Sequence, residues 1–218
     1  ARGGGLRPLL AVVGGLPAVG KTAVCRALLR ERRMTWLRVD SIEQALRRSG
    51  EMLPGAPGGA GYWAAAAVAG DVLPTGGDVL VECLWARTAA GAGAALLGVE
   101  LVCSDAAEHR RRVEQRVSDI DGLVLPDWQA VLRRDYEPWP EADLRLDTGR
   151  LEVTGAAELI ARACSSSVSS TRLVQGCSAD DRGPLGEGAR GSACPARDSA
   201  PDGAELVDLD DVAGRLRA

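Results

Sequence analysis

The sequence predicts an α/β protein in three layers, with helices on both faces of a mostly parallel five-stranded sheet. Two observations support this fold class. Short apolar runs alternate along the chain with segments of helical periodicity, which is the order that a parallel sheet requires. The first apolar run leads directly into a glycine-rich loop. The 218 residues are enough for one such domain and an extension.

The first strand, loop and helix predict how the domain begins. Residues 9–13 are continuously apolar, as in a strand that is buried on both faces. The loop Gly15-Leu16-Pro17-Ala18-Val19-Gly20-Lys21-Thr22 follows and contains the complete phosphate-binding pattern G-x-x-x-x-G-K-T. Apolar side chains then recur at helical spacing over residues 21–30. Strand, glycine loop and helix in this order predict a P-loop NTPase fold.

The loop also predicts the cofactors. The backbone N–H groups of residues 15–22 would surround the phosphates of ATP, which we expect to bind together with Mg²⁺. Lys21 is the only lysine among the 26 basic residues, and its flexible ammonium can enter a loop too narrow for a guanidinium. The hydroxyl of Thr22 would hold Mg²⁺. The alternative is a glycine-rich turn with an incidental lysine.

The remaining elements follow from periodicity and turn signals. The other strands are predicted at 35–39, 79–83, 99–103 and 143–146. Further helices are predicted at 41–50, 62–73, 84–97, 105–117, 126–134 and 154–163. Ser41 and Gln44 form a capping box that predicts Ser41 as the N-cap of its helix. Ser104-Asp105 is the corresponding signal for the charged helix that follows it.

Composition divides the chain into three parts. Residues 1–7 are predicted to be a flexible N-terminus, and residues 8–164 a kinase-like ATP-binding domain. Residues 165–218 are rich in Ser, Gly, Asp, Arg and Pro, and this low complexity predicts a mostly disordered tail.

Charge and cysteine content exclude several kinds of partner. The net charge of −4 and the pI near 5.2 provide no basic surface for nucleic acid. No apolar stretch reaches membrane-spanning length, so we expect no membrane partner. The six cysteines form no C-x-x-C pair, which favours a cytoplasmic protein with reduced thiols.

Two acidic residues follow predicted strands at the edge where ligands bind in open α/β sheets. Asp40 could deprotonate an acceptor hydroxyl that attacks the γ-phosphate, or it could only help to cap a helix. Glu82 follows three apolar residues, as in the Walker B pattern, and would hold Mg²⁺ with Thr22. The alternative for Glu82 is an ordinary acid at a strand end.

The charged helix supplies further candidates. Arg112 and Arg116, within an arginine cluster at 110–116, could clamp the transferring phosphoryl group. Ordinary pairing of Glu108 with Arg112 and of Arg110 with Glu114 is the alternative.

The sequence also makes predictions for His109, for Thr148 and for three aromatic residues. His109 fits the edge of an apolar helix face. Thr148, in the loop after the last strand, could lie against the adenine of ATP or simply form a turn. The aromatic residues Trp128, Tyr136 and Trp139 are expected to pack.

Four segments carry a resemblance to a known family. They are Arg38-Val39-Asp40-Ser41-Ile42-Glu43-Gln44-Ala45, Cys103-Ser104-Asp105 with the charged residues 108–114, Tyr136-Glu137-Pro138-Trp139 and Leu146-Asp147-Thr148. Over about residues 8–163 the chain resembles the P-loop small-molecule kinases of the AAA family ATPase type, relatives of gluconate kinase and chloramphenicol phosphotransferase. The resemblance implies that Asp40 is the catalytic base and that the arginines of 110–116 belong to a lid.

Two features depart from the pattern of these kinases. Leu84-Trp85 follows Glu82-Cys83 immediately, where related chains carry a longer polar segment near the acceptor site. Glu82 also stands where aspartate is usual.

The sequence therefore predicts transfer of the γ-phosphoryl group of ATP to a hydroxyl of a small molecule. One alternative is a nucleotide-binding P-loop protein without kinase turnover, which acceptor-dependent ADP formation would distinguish. The other is a 5′-end nucleic-acid kinase, which the acidic charge disfavours.

Overall fold

Five parallel strands form the centre of the molecule. The computed structural model describes residues 7–53, 59–83 and 94–169. The strands are β1 (Leu9–Gly14), β2 (Thr35–Arg38), β3 (Val79–Glu82), β4 (Ala95–Val102) and β5 (Leu144–Asp147). Neighbouring strands pair in parallel in the order β2-β3-β1-β4-β5. The predicted α/β fold with a five-stranded parallel sheet is confirmed.

Helices connect these strands and cover both faces of the sheet. They are α1 (Lys21–Glu31), α2 (Val39–Ser49), α3 (Ala60–Val72), α4 (Ala106–Gln115), α5 (Trp128–Leu132) and α6 (Val153–Ser169), with a 3₁₀ turn at Leu73–Thr75. Because β1 runs through the glycine loop into α1, the P-loop NTPase fold is present as predicted. Within the described ranges, no helix has both the length and the apolar character that a membrane crossing needs.

Every residue of β1 is buried, because each face of the sheet is covered. On one face, Leu9 and Val13 pack in a cluster with Leu28 of α1, and α6 closes the same cluster. On the other face, Val12 packs with Ala65 of α3. The continuous apolar run in the sequence therefore corresponds to a strand, β1, that is buried on both faces, as predicted.

The strand order places the site. Arg38 of β2 and Val13 of β1 both lie in register with Glu82 of β3. The carboxyl ends of these three neighbouring strands therefore meet at one edge, beside the glycine loop. This is the edge at which open α/β sheets bind ligands.

The predicted start of α2 was wrong. The helix begins at Val39, two residues before the expected N-cap Ser41, and Arg38 is the N-cap residue. No side chain caps this end by a hydrogen bond. Val39 is only 2% exposed, so its burial between the sheet and α3 fixes the first turn. Core packing therefore overrides the capping-box signal.

The predicted helix at 84–97 was also wrong at its end. Residues 84–93 lie outside the described residues, and Ala95–Leu97 belong to β4, which begins four residues before the expected start at 99. The strand is longer because it pairs with β1 from Leu9↔Ala95 to Gly14↔Glu100. A short apolar run does not distinguish a buried strand from a buried helix.

The closing helix is longer than the predicted 154–163. It reaches Ser169 and so includes 165–169, which the composition had assigned to the disordered tail. Residues 1–6 and the rest of the predicted tail lie outside the described residues, and the three-part division of the chain stays a prediction. The helix 105–117 is shorter than predicted, since α4 ends at Gln115.

A buried carboxylate fixes the segment between α5 and β5. Glu100 of β4 is fully buried and accepts hydrogen bonds from the hydroxyl of Tyr136 (2.6 Å) and the backbone N–H of Trp139 (3.1 Å). Arg145 provides the charge partner at 3.2 Å. The ring of Trp139 lies against Gly98, where a Cβ atom would come within 2.4 Å of it. The predicted packing role of these aromatic residues is confirmed.

Candidate active site

The carboxyl edge of the sheet opens into a cavity of about 1080 Å³. The phosphate loop and the start of α1 form one side, α2 the next and α4 another. The segment between α4 and α5, residues 116–126, lines the remaining side and is called the lid loop below. The predicted site residues that line the cavity are Pro17, Ala18, Gly20, Lys21, Thr22, Asp40, Glu82, Arg112 and Arg116. The others, Gly15, Leu16, Val19 and Thr148, lie behind its wall.

Backbone geometry explains the glycine at the start of the loop. Gly15 has a φ of +139°, and a Cβ atom there would lie 2.2 Å from the carbonyl oxygen of Leu101 in β4. Only glycine fits between the loop and the sheet, because the obstacle is backbone that cannot move aside. Ala18 also has a positive φ, of 65°, which is uncommon for a residue with a side chain. The loop is therefore a tight turn that leads into the N-terminus of α1, a place that favours anions.

Lys21 folds back over this turn. Its ammonium donates hydrogen bonds to the carbonyl oxygens of Gly15 at 2.6 Å and Leu16 at 2.9 Å. Desolvation lowers the pKa of Lys21 from its ordinary value, and the negative charges of Glu82 and Asp40 oppose that shift. The ammonium is thus held by carbonyl oxygens of the loop itself, and its contact with phosphate stays a prediction.

Thr22 and Glu82 are brought together from positions 60 residues apart. The hydroxyl of Thr22 donates a hydrogen bond to Oε1 of Glu82 at 2.5 Å. Oε2 of Glu82 is buried and accepts no hydrogen bond within the described ranges, although Nε of Arg38 approaches it to 3.4 Å. Burial raises the pKa of Glu82, against the effects of the Thr22 hydrogen bond and the Lys21 charge. A hydroxyl and a buried carboxylate oxygen are the hard ligands that Mg²⁺ prefers, so this pair fits the ion.

Asp40 lies in the first turn of α2, with its carboxylate exposed to the cavity. Its side chain makes no hydrogen bond to another described residue, and it does not cap α2. It is close enough to Lys21 and Arg116 to affect the pKa of both. The carboxylate is therefore accessible to a ligand beside the phosphate loop.

A cluster that the sequence reasoning missed holds the lid loop. Asp119 accepts hydrogen bonds from both terminal nitrogens of Arg38, each at 2.9 Å, and it also pairs with Arg26 of α1. The two guanidinium groups lie over the ring of Trp36, 5.1 Å (Arg38) and 5.9 Å (Arg26) from its centroid. These four residues are called the lid latch below. They connect the lid loop to β2 and α1.

The lid latch is continuous with the predicted metal ligands. Arg38 contacts Asp119 through its terminal nitrogens, and its Nε faces Glu82, which in turn accepts the Thr22 hydroxyl. No sequence pattern indicated this arrangement, because Arg38 and Asp119 are 81 residues apart and the segment 38–45 that carries the resemblance gives no sign of Asp119.

Most arginines of α4 are already paired. Arg110 pairs with Glu114 and Arg112 with Glu108, each at 2.7 Å, as the i,i+4 spacing predicted. Arg111 pairs with the same Glu108 at 2.6 Å. Hydrogen bonds from Arg111 and Arg112 lower the pKa of Glu108 to about 2. These three arginines are thus oriented by carboxylates of their own helix.

Arg116 differs from the rest of the cluster. It is the C-cap residue of α4, it lines the cavity, and its buried Nε has no hydrogen-bond partner within the described part of the chain. Desolvation lowers its pKa, and the nearby charge of Asp40 opposes this. Of the two arginines that the sequence selected, Arg116 is the one whose guanidinium is not committed to a carboxylate.

His109 supports the phosphate loop from behind. It is 6% exposed, and its Nε2–H donates a hydrogen bond to the carbonyl oxygen of Pro17 at 2.8 Å. Its ring also meets that of Trp128 edge to face, with centroids 5.3 Å apart. The expected place at the edge of an apolar face is correct, but the sequence did not indicate the contact with the loop.

Thr148 supports the loop in a similar way. Its hydroxyl donates to the carbonyl oxygen of Val19 at 2.8 Å and accepts from Arg112 at 2.9 Å. The side chain is 7% exposed and is used within the protein. Its predicted contact with the nucleotide stays a prediction.

Apart from Asp40, the contacts that α2 makes at the cavity were also missed by sequence reasoning. Glu43 is only 8% exposed and pairs with Arg47 at 3.0 Å. Gln44 donates a hydrogen bond to the carbonyl oxygen of Asp121 in the lid loop at 3.2 Å. Helix α3 approaches closely because Gly61 has no side chain: a Cβ atom there would lie 2.5 Å from Cγ of Glu43.

Comparison with solved structures identifies the fold. A protein from Chloroflexus aurantiacus J-10-fl described as a "putative kinase" matches with a TM-score of 0.59 and 17% identity, over 75% of this chain and 100% of its own. A sugar kinase from Janibacter sp. HTCC2649 matches with a TM-score of 0.54 and 18% identity, over 74% of this chain and 98% of its own. A gluconokinase from Sinorhizobium meliloti 1021 matches with a TM-score of 0.46 and 20% identity, over 75% and 93%.

The first two likenesses show that this chain shares the fold of those proteins. No protein-family model matches the chain, and neither does any curated protein in sequence. The described residues thus have the P-loop type of α/β fold, with the G-x-x-x-x-G-K-T loop between β1 and α1.

Proposed function

We propose that the protein is an ATP-dependent phosphotransferase that moves the γ-phosphoryl group to a hydroxyl of a small molecule. The observation that carries this proposal is the position of the Asp40 carboxylate. It is exposed, it does not cap α2, and it lines the same cavity as the phosphate loop and Lys21. The kinases named among the structural neighbours make phosphoryl transfer the natural chemistry for this fold. A cytoplasmic location, and the absence of membrane or nucleic-acid partners, remain part of the proposal.

Each group of residues at the site has its own role in the proposed reaction. The N–H groups of the loop and the ammonium of Lys21 bind the β- and γ-phosphates. Thr22 and Glu82 would hold Mg²⁺, which when bound neutralises phosphate charge. Asp40 orients the acceptor hydroxyl and takes its proton as the oxygen attacks Pγ and the bond from Pγ to ADP breaks. Arg116 stabilises the charge on the transferring group.

Substitution of Asp40 tests this assignment. In Asp40→Asn the side chain keeps its size but loses the site that accepts the proton, so transfer should fall by on the order of 10²-fold. Nucleotide affinity should change little, because Lys21 and the loop remain. The measurements are single-turnover ADP formation with an acceptor found by screening hydroxylated compounds, and calorimetric titration with a Mg²⁺–ATP analogue.

Asp71→Asn on α3 is the matched control, because Asp71 is exposed and does not line the cavity. It should leave transfer and affinity unchanged. Unchanged transfer in Asp40→Asn, with a lowered melting temperature, would assign Asp40 to helix stability and leave the reaction without its base. ADP formation that never depends on an acceptor would instead favour the nucleotide-binding alternative without kinase turnover.

A further inference from the structure

The end of the cavity lined by α2 and the lid loop, called the acceptor end below, has two properties that together define a class of molecule. We propose that the acceptor is an uncharged alcohol with an apolar body, and not a sugar acid or another anion. This inference rests on the proposed phosphotransferase function and specifies its substrate.

The first property is that the arginines at the acceptor end are neutralised within the protein. Arg47 pairs with Glu43 at 3.0 Å on α2. Arg38 is held by Asp119 and faces Glu82. An anionic acceptor would have to displace one of these carboxylates, and those of Glu43 and Glu82 are almost fully buried.

The next arginine along α2 is paired as well. Arg48 lines the cavity and pairs with Asp121 of the lid loop at 3.0 Å. Since both side chains are largely exposed, this pair is weaker than the buried ones. It nevertheless supplies a carboxylate to the last guanidinium on this side of the cavity.

The remaining cationic groups on the cavity wall have a different use. Lys21 lies on the phosphate loop, and Arg116 and Arg134 are close enough for the charge of Arg134 to help lower the pKa of Arg116. Both arginines line the cavity and neither forms an ion pair within the described ranges, so their guanidinium groups can face the triphosphate, whose charge exceeds what Mg²⁺ neutralises. Once ATP is bound, the described residues leave no uncommitted cation for an acceptor carboxylate.

The second property is the aliphatic character of the lid loop. Its apolar side chains on the cavity wall are Val117, Ile120, Leu123, Val124 and Leu125, followed by Pro126. Val117 and Val124 are 91% and 90% exposed, although both line the cavity. Asp40 lines the same cavity, on the side formed by α2, and can receive the hydroxyl proton. A ligand with a hydroxyl at one end and an apolar body would satisfy Asp40 and cover the valines together.

Four probes separate charge from apolar character. Sorbitol and gluconate share a six-carbon polyol chain and differ by one carboxylate. 1-Phenyl-1,2-ethanediol and mandelate share an aryl body and differ in the same way. Each is titrated by calorimetry into the full chain saturated with a Mg²⁺–ATP analogue, and the neutral aryl diol should bind at least about tenfold more tightly than the other three.

Two substitutions address the two properties separately. Val124→Asp should weaken binding of the aryl diol by about tenfold, whereas Val153→Asp, an exposed valine at the start of α6 and outside the cavity, should not. Glu43→Gln should release Arg47 and increase binding of mandelate by about tenfold. Circular dichroism on each variant checks that the fold is kept.

The outcomes are distinct. Tightest binding of gluconate or mandelate overturns the charge argument, and tightest binding of sorbitol overturns the apolar one. Binding of none of the four, or equal effects of Val124→Asp and Val153→Asp, also overturns the inference. Failure of the ATP analogue itself to bind would show up before any probe is added, and it would count against the proposed function instead.

Discussion

At the scale of single residues, Lys21 is the clearest link between sequence and chemistry. It is the only lysine of the chain, and its ammonium lies within hydrogen-bonding distance of two carbonyl oxygens of the loop. A compact ammonium fits this turn, whereas a planar guanidinium is wider and needs a fixed orientation. The charge alone is therefore insufficient at this position.

We expect Lys21→Arg to weaken binding of a Mg²⁺–ATP analogue by at least about tenfold, and Lys21→Ala to abolish it. Calorimetric titration measures both. Arg33→Lys, at an exposed position between α1 and β2, is the control for a basic exchange and should bind like the unmodified protein. Affinity of Lys21→Arg within about threefold of the parent would show that the loop accommodates a guanidinium.

At the scale of elements, Asp119 makes the least exposed ion pair that joins the lid loop to the rest of the described domain. Asp119 is pinned by Arg38 and Arg26, and a hydrogen bond from Arg38 is the largest cause of the lowered pKa of Asp119. Because this pKa is lower in the folded protein than in the unfolded chain, the latch stabilises the fold fully above about pH 4. The contribution then disappears as the pH falls through the lower, folded-state pKa of Asp119.

Asp119→Asn should therefore accelerate hydrogen–deuterium exchange of residues 116–126 by about fivefold at neutral pH. The free energy of unfolding should fall by about 1 kcal/mol, since the pair is partly exposed to solvent. In the unmodified protein, opening of the lid loop should increase as the pH falls through the pKa of Asp119. This pH-dependent increase should be absent from the variant. Asp121→Asn is the matched control. The side chains of Asp121 and Arg48 are both more exposed than those of Asp119 and Arg38, so loss of this pair should change the exchange less. Equal exchange in the two variants would contradict the latch.

At the scale of the whole molecule, the end of the domain is set by α6. Ile160 and Cys164 are fully buried in the core against β1 and α1, and the helix continues to Ser169. The sequence beyond 169 has few large apolar residues and can contribute little burial. The folding unit should thus end with α6, a few residues after the boundary predicted at 164.

A chain of residues 1–169 should melt within about 3 °C of the full chain when the nucleotide analogue is bound, because the removed sequence carries few large apolar side chains. A chain of residues 1–159 loses Ile160 and Cys164 from the core and should not fold stably at 37 °C. Differential scanning calorimetry compares the three lengths. A loss of many degrees in 1–169 would mean that the C-terminal residues dock on the domain.

Sequence and structure agree where information is local. The apolar run at 9–13, the glycine loop and Asp105 at the N-cap of α4 could each be predicted, because neighbouring residues dictate strand burial, loop shape and helix capping. The capping box at Ser41 and the helix ending at 97 failed for the opposite reason. Burial of Val39 and pairing of β4 with β1 depend on distant parts of the chain.

The sequence by itself determined the fold class and the identity of the phosphate loop, since a motif of eight consecutive residues specifies its own local geometry. Only the tertiary structure decided which charges are already paired. It joined Asp119 to Arg38 across 81 residues, placed His109 on Pro17 across 92, and left Nε of Arg116 unpartnered within the described chain. Such pairings depend on where helices and loops come to lie in space, and no spacing along one chain encodes that distance.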